Sequence, residues 1–154
     1  MAVFVGRHGH YDEWSEDEGL TDKGRAQASK MGMRLRDKLN GSIGFYSSRV
    51  LRAIQTMEKV RSELEIGVEI VTTELLEWTG NNITPDGLEE LYSFVRGEAE
   101  KVDNVLLMTH YAVVNNFQGL YLQKNGLATQ RVRLNKGQGV LIDFLGESNF
   151  ELIY

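Results

Sequence analysis

The stretch that decides the fold is Ala2-Val3-Phe4-Val5-Gly6-Arg7-His8-Gly9-His10, an apolar β-rich run that passes directly into basic and imidazole side chains. Ala2 to Val5 reads as a first strand, and the chain beyond it repeats a strand-to-helix alternation characteristic of a layered α/β domain. Thr21 is placed to cap a helix opening at Asp22, with Met31, Leu35 and Leu39 recurring every four residues on one face. That stripe reads as core packing. Asn40-Gly41 ends this helix. Ile43 to Tyr46 reads as a second strand, Ser47-Ser48 as the start of a helix reaching about Leu64, and Val68 to Val71 as a third strand.

A polar stretch runs from Glu74 through Trp78-Thr79-Gly80-Asn81-Asn82 to Thr84-Pro85-Asp86-Gly87, ahead of a helix bearing Leu88, Leu91, Tyr92 and Val95. Val105 to Met108 is a continuous apolar run, as a central strand covered on both faces requires. A helix over Ala112 to Leu122 follows. Val132 to Leu134 and Gly139 to Phe144 are read as the last strands, with Phe150 to Tyr154 as a hairpin partner. The expectation is a three-layer α/β/α sandwich around a mostly parallel sheet of about six strands.

Composition bounds the function. A chain of 154 residues with 42% hydrophobic and 25% charged residues suits one soluble domain with a single core. No apolar run approaches the roughly 20 residues of a membrane helix, and Met1 to His8 lacks a signal-peptide pattern, so the expected setting is cytoplasmic and without a membrane partner. Zero cysteines exclude a thiolate nucleophile and a Cys-based zinc site. A net charge of −5 with no basic stripe argues against nucleic acid. An anionic ligand would have to be held by individually placed arginines.

Three strands run into such groups. The first ends in Arg7-His8-Gly9-His10, the second in Ser47-Ser48 with Arg49 and Arg52 close behind, and the Val105–Met108 strand in Thr109-His110. Ligands of open parallel sheets bind outside the carboxyl ends of the strands, so Arg7, His8, Arg52 and His110 are expected to converge at one anion-binding mouth. A neutral imidazole can attack phosphorus and split one difficult step into two. The charge on the transferring phosphoryl group calls for several fixed donors. Two guanidiniums, a second imidazole and the amide groups at the helix start after Ser47 would supply them. An ester leaving group also needs a proton donor, for which Glu77, Glu74 and Asp86 are the candidates. Arg49 reads as a solvated helix charge, and His10 as a group that adjusts specificity.

Arg7-His8-Gly9 resembles the RHG signature of the histidine phosphatase superfamily, the group that includes cofactor-dependent phosphoglycerate mutases. Leu20-Thr21 through Gly24 to Gln27-Ala28 resembles the family's LTxxGxxQA segment. Ser47-Ser48 through Arg52-Ala53 to Gln55-Thr56 resembles its SSxxxRAxQT segment, and Met108-Thr109-His110 its S/T-H segment. The motifs fall in the family's order over residues 1 to about 120.

The resemblance implies His8 as nucleophile, a phosphate pocket of Arg7, His8, Arg52 and His110, no metal and no cofactor. Leu75-Leu76-Glu77, followed by Gly80, fits the family's L-x-E context for a proton donor. In length and in its Thr84-Pro85-Asp86-Gly87 stretch the chain is similar to bacterial SixA-type protein phosphohistidine phosphatases, which can lack the acid. Residues 1–154 are thus expected to form a single domain without a large cap insertion, acting on a phosphorylated small molecule or a phosphohistidine protein. His10, Gly6 and Tyr111 depart from the usual family residues.

Two other readings stand beside this one. His8-Gly9-His10, completed by His110 and Asp12, has spacing suited to a metal-dependent hydrolase. A phospho-ligand binding module without turnover is the other. Phosphatase activity through His8 carries a further expectation, a rate that falls toward acid pH as the imidazole protonates. The oligomeric state is not legible in the sequence.

Overall fold

The strands of the sheet stand in the order β3-β2-β4-β1-β5-β6. β1 (Ala2–Arg7), β2 (Ile43–Ser47), β3 (Ile70–Thr72) and β4 (Asn104–Thr109) are mutually parallel where they pair. β5 (Gly139–Asp143) and β6 (Phe150–Ile153) add an antiparallel hairpin at one edge. This computed structural model describes residues 1–15, 18–78, 83–127, 130–143 and 150–154. The sequence readings at Thr79 to Asn82 and at Phe144 fall outside the described residues.

Alternation in the central strands sorts the core into two layers. Val3 and Val5 of β1 and Val105 and Leu107 of β4 face α3 (Pro85–Ala99) and α4 (Tyr111–Lys124), where Leu91, Val95, Val113 and Phe117 cover them. Phe4, Phe45, Leu106 and Met108 face the other way, against Met31 and Leu35 of α1 (Asp22–Arg36) and Ala53, Met57 and Val60 of α2 (Leu51–Glu63). Each buried apolar side chain of this kind contributes about 1.5–3 kcal/mol relative to exposure. The result is the expected α/β/α sandwich on a mostly parallel sheet. No described helix is long and apolar enough to cross a membrane.

Several readings differ from the structure; the third strand, for one, runs Ile70–Thr72 and not Val68 to Val71. Ser47 and Ser48 do not open α2: Ser47 closes β2, and α2 begins at Leu51 with Val50 as its N-cap. The Ser48 hydroxyl instead accepts the Val50 N–H (3.2 Å), a local turn that competes with helix. α1 stops at Arg36, four residues before Asn40. Val132 to Leu134 pair with no described strand; the Gln118 side chain clamps Val132 by accepting from its N–H (2.8 Å) and donating to its carbonyl (3.1 Å).

The loop after β1 is fastened by the residues that succeed it. The Thr21 hydroxyl caps α1 by accepting from the Gly24 N–H, and the Gln27 carboxamide oxygen accepts from the His10 N–H (2.8 Å). The Leu20 N–H donates to Gln55 on α2 (2.7 Å). Glycine is required where the loop meets α1: a Cβ on Gly24 would lie 2.1 Å from the His10 carbonyl oxygen, and one on Gly9 2.7 Å from the Gly24 oxygen. Ala normally stabilises a helix position over Gly by about 0.5–1 kcal/mol. Here the sign should reverse. Gly24→Ala is expected to destabilise by about 1–3 kcal/mol through backbone displacement, read as a lower urea midpoint at unchanged slope; a raised midpoint would refute the close approach.

Candidate phosphoryl site at the carboxyl end of the sheet

β1 and β4 are adjacent and in register, Arg7 beside Thr109, so the residues one step beyond each strand meet. His8 and His110 lie with ring centroids 5.1 Å apart, edge to face. The His8 N–H donates to the Thr109 carbonyl (3.1 Å), and the Ser48 N–H to that of Met108 (3.0 Å), which locks three strand ends together. Arg52, in the first turn of α2, reaches the same place. Its Nε donates to His8 Nε2 at 3.3 Å.

These contacts assign the His8 tautomer. Nδ1 lies 2.9 Å from the Gly9 carbonyl oxygen, an acceptor only, so Nδ1 carries the proton. Nε2 faces the Arg52 Nε–H, a donor only, so Nε2 presents its lone pair. Burial, followed by the neighbouring His110, Arg52 and Arg7, lowers the His8 pKa to about 3. His110 is lowered to about 4, chiefly by burial and then by Arg52 and Arg7. Both rings are therefore neutral between pH 5 and 8. A rate that depends on neutral His8 stays flat on that account over this range, which moves the expected acid loss to lower pH. The sequence showed the flanking arginines but not the burial that dominates the shift.

The two guanidiniums each pack on a tyrosine. The Arg7 Cζ lies 5.1 Å from the Tyr111 ring centroid and the Arg52 Cζ 4.2 Å from that of Tyr11. Arg7 Nη1 donates to the Leu134 carbonyl (3.1 Å), and its buried Nε has no acceptor among the described residues. Burial lowers the Arg7 pKa below its ordinary value. Arg52 is 8% exposed, and its Nη1 lies 3.6 Å from the exposed Glu18 carboxylate. His110, the N-cap residue of α4, places Nε2 2.9 Å from the Ser48 hydroxyl. Arg7, His8, Arg52 and His110 thus stand together as the sequence anticipated.

The acid candidates do not join them equally. Glu77 follows a 3-10 turn (Glu74–Leu76) that the buried Thr109 hydroxyl holds by donating to the Leu76 carbonyl (2.6 Å). Its carboxylate is engaged by Arg49, through Nε on one oxygen and Nη2 on the other (2.8 Å), with the Arg49 N–H also donating (3.2 Å). The side-chain hydrogen bonds from Arg49, ahead of any other influence, hold Glu77 below the usual carboxylate range, as an anion. Arg49 is exposed, as expected, but it precedes α2 and is paired with Glu77. Glu74 is exposed, 3.8 Å from Arg49, and Asp86 is exposed in the first turn of α3.

The ligand set of the metal alternative is not assembled. The His10 ring bonds the Thr21 hydroxyl (2.8 Å), Asp12 accepts from the Trp14 N–H (3.0 Å), and among the described residues no three His, Asp or Glu side chains are grouped to hold an ion. Sequence reasoning also passed over Tyr11, whose ring packs on His8 and Arg52, and Thr56, which accepts the Gly9 N–H (3.0 Å) and donates to the Arg52 carbonyl (2.7 Å). The Thr56 signal was its place one turn beyond Arg52; Tyr11 carried none. A cavity of about 220 Å³ lined by His10, Tyr11, Asp12, Glu13, Trp14 and Lys136 adjoins the site. A cavity of about 470 Å³ opens at the other end of the sheet, around Ala2 and Asn104.

The two depressed histidines tie stability to pH. Unfolded, each ring binds a proton below about pH 6.5; folded, they resist protonation to about pH 3 and 4. The unfolded state binds more protons in that window, so the stability present above pH 6.5 is lost as pH falls toward 4. At pH 5 the loss is about 2 kcal/mol per histidine relative to pH 8. Urea titrations at the two pH values should show it, and His8→Gln should lose less than the natural protein. Equal losses in both would remove His8 as a source.

The sequence model of the histidine phosphatase superfamily (branch 1) matches residues 3–91. No curated protein matches at the sequence level. Among solved structures, the protein histidine phosphatase SixA complexed with tungstate superposes with a TM-score of 0.76 at 21% identity, over 99% of this chain and 96% of that one. The alpha-ribazole phosphatase from Shigella flexneri gives 0.72 at 16% identity, over 99% and 96%. A phosphoserine phosphatase mutant from Entamoeba histolytica in complex with phosphoserine gives 0.64 at 15%, over 97% and 94%. At these identities the likeness is one of fold. The family model spans more than half the chain, through both the Arg7-His8-Gly9 and the Arg52 segments, and the chain belongs to the histidine phosphatase superfamily.

Proposed function

We propose that this protein is a metal-independent phosphatase that hydrolyses a phosphomonoester or a protein phosphohistidine through a covalent phosphohistidine on His8. The observation that carries the reading is the Nε2 lone pair, held neutral and facing a guanidinium in the anion-binding mouth. Nε2 attacks phosphorus in line, the bond from phosphorus to the leaving oxygen or nitrogen breaks with its electron pair going to that atom, which takes its proton from solvent, and the phosphoryl group rests on the imidazole. Water then attacks phosphorus, inorganic phosphate departs, and His8 returns to its neutral form.

Arg7, Arg52 and His110 serve the equatorial oxygens, with Arg52 turning its N–H from the imidazole to the phosphoryl group as the lone pair is committed. Removing one such donor costs about 3–4 kcal/mol of transition-state stabilisation. The likeness to a SixA complexed with tungstate, a tetrahedral oxyanion like phosphate, agrees with this use of the fold. Residues 1–154 are proposed to work as one domain without a cap, leaving the intermediate open to water and favouring hydrolysis over mutase transfer.

The Arg49–Glu77 pair favours the phosphoramidate side of the substrate range. An ionised Glu77 cannot protonate an alkoxide, whereas a phosphohistidine leaves more readily than an ester. Glu77→Gln should therefore lower turnover of an alkyl phosphate, whose alkoxide needs a proton, less than tenfold; a loss of about 10²-fold or more is the mark of a general acid and would restore Glu77 to that role.

The decisive experiment is aryl phosphate hydrolysis in excess EDTA. Turnover is expected to survive chelation and to vanish in His8→Ala, with a phosphorylated His8 trapped by rapid quenching of the natural protein. Activity lost in EDTA and regained with a divalent ion would support the metal alternative instead. A phosphate analogue bound without turnover of aryl phosphate or of a phosphohistidine peptide would leave the binding-module reading.

A further inference from the structure

Arg52 must be held firmly beside His8 and yet keep its N–H edges free for an incoming phosphate. A bidentate carboxylate would hold it but consume those edges, since the guanidinium fork matches carboxylate and phosphate alike. Among the described residues Arg52 has no such clamp: its carboxylate neighbour, Glu18, is exposed and 3.6 Å away. What lies on the guanidinium is an aromatic face. The Arg52 Cζ stands 4.2 Å from the Tyr11 ring centroid, and the same ring meets the His8 imidazole edge to face, at 5.3 Å and 71°.

Tyr11 is itself fixed from several sides. Its backbone pairs with Leu20 in an isolated antiparallel bridge, and the Leu20 N–H is held by Gln55, on α2 one turn from Arg52. The Lys136 Nζ lies 4.5 Å from the ring centroid and is itself held by Glu13 (3.1 Å). Resting on the proposed phosphatase reading, we propose that Tyr11 is a positioning residue whose ring holds the face of Arg52 against the His8 imidazole, leaving the guanidinium edge open to the phosphoryl group. The role belongs to the ring and not to the hydroxyl.

The test compares the natural protein with Tyr11→Leu and Tyr11→Phe, reading inorganic phosphate affinity by calorimetry, KM and kcat for an aryl phosphate, and the His8 titration by NMR. The groups facing His8 are Arg7 from β1, Arg52 from α2, His110 from the head of α4 and Tyr11 itself. A cation–π contact of ordinary strength corresponds to about tenfold in affinity. Tyr11→Leu should weaken phosphate binding by about that factor, raise KM more than it lowers kcat, and move the His8 titration upward as water enters and Arg52 leaves. Tyr11→Phe should return all three toward the natural values. Should Tyr11→Leu fail to fold, as judged by its thermal transition, Tyr11→Met gives the same comparison.

Natural affinity and an unmoved His8 titration without the ring would overturn the proposal. So would a Tyr11→Phe defect as large as that of Tyr11→Leu, which would assign the effect to the hydroxyl. If the natural protein turns over no phosphate ester or phosphohistidine while the binding and titration readouts still follow the ring, the phosphatase reading fails and the positioning role stands. Turnover through His8 that is indifferent to Tyr11→Leu gives the reverse.

Discussion

The parallel pairing of β1 with β4 governs the arrangement of the site. Because Arg7 sits beside Thr109, the first residues released from the two strands, His8 and His110, are neighbours without any loop having to bring them together. Adjacent strands lie about 4.8 Å apart, close to the 5.1 Å between the two imidazoles. Apolar packing on both faces of β1 and β4 holds that register, since a one-residue slip would turn Val3, Val5, Val105 and Leu107 into the wrong layer. The precision of the site is inherited from the core.

Burial then sets the chemistry. Two imidazoles beside two arginines would resist protonation in water for Coulombic reasons alone, but desolvation is the larger cause at both rings. A buried, neutral His8 with Nδ1 bound to a carbonyl has one lone pair to offer. The arginines keep their charge and hold it through aromatic contacts and a single carbonyl rather than through bidentate carboxylates. Among the described residues the carboxylate paired with either of these two guanidiniums is Glu18, 3.6 Å from Arg52, in a chain whose overall charge is −5.

Much of this was legible because strand ends are legible. An apolar run followed by Arg7-His8 or Thr109-His110 announces both the strand and what it delivers, and sheet topology does the rest. The Thr21 cap and the Met31–Leu35–Leu39 stripe were equally local, and all three stripe residues are buried. What the sequence hid depends on contacts between distant segments. The start of α2 at Leu51 turns on how Ser48 spends its hydroxyl between Val50 and His110. Gln118 secures Val132 without a strand, giving the Val132-Arg133-Leu134 triplet a non-strand conformation. The Tyr11 ring reaches Arg52 only because Gln55 and Leu20 fold the intervening loop back onto α2.

Arg49 shows why a motif carries more than its most reactive residues. Lying between the Ser48 turn and α2, it reaches across to the segment after β3 and takes Glu77 on both oxygens. The Thr109 hydroxyl fixes the same segment from below, by way of the Leu76 carbonyl. Glu77 is therefore anchored near the mouth while its charge is stabilised, two effects with opposite consequences for an acid. Anchoring favours a role at the site; stabilising the anion removes the proton that the role requires. Substrate can alter this balance only by moving Arg49 or by bringing negative charge close enough to raise the carboxyl pKa, and a bound phosphate dianion brings such charge. On the proposed phosphatase reading, an ester would depend on that coupling, whereas a leaving group that departs readily would not. On that reading, the least demanding substrate for this arrangement would be one that leaves Glu77 ionised throughout.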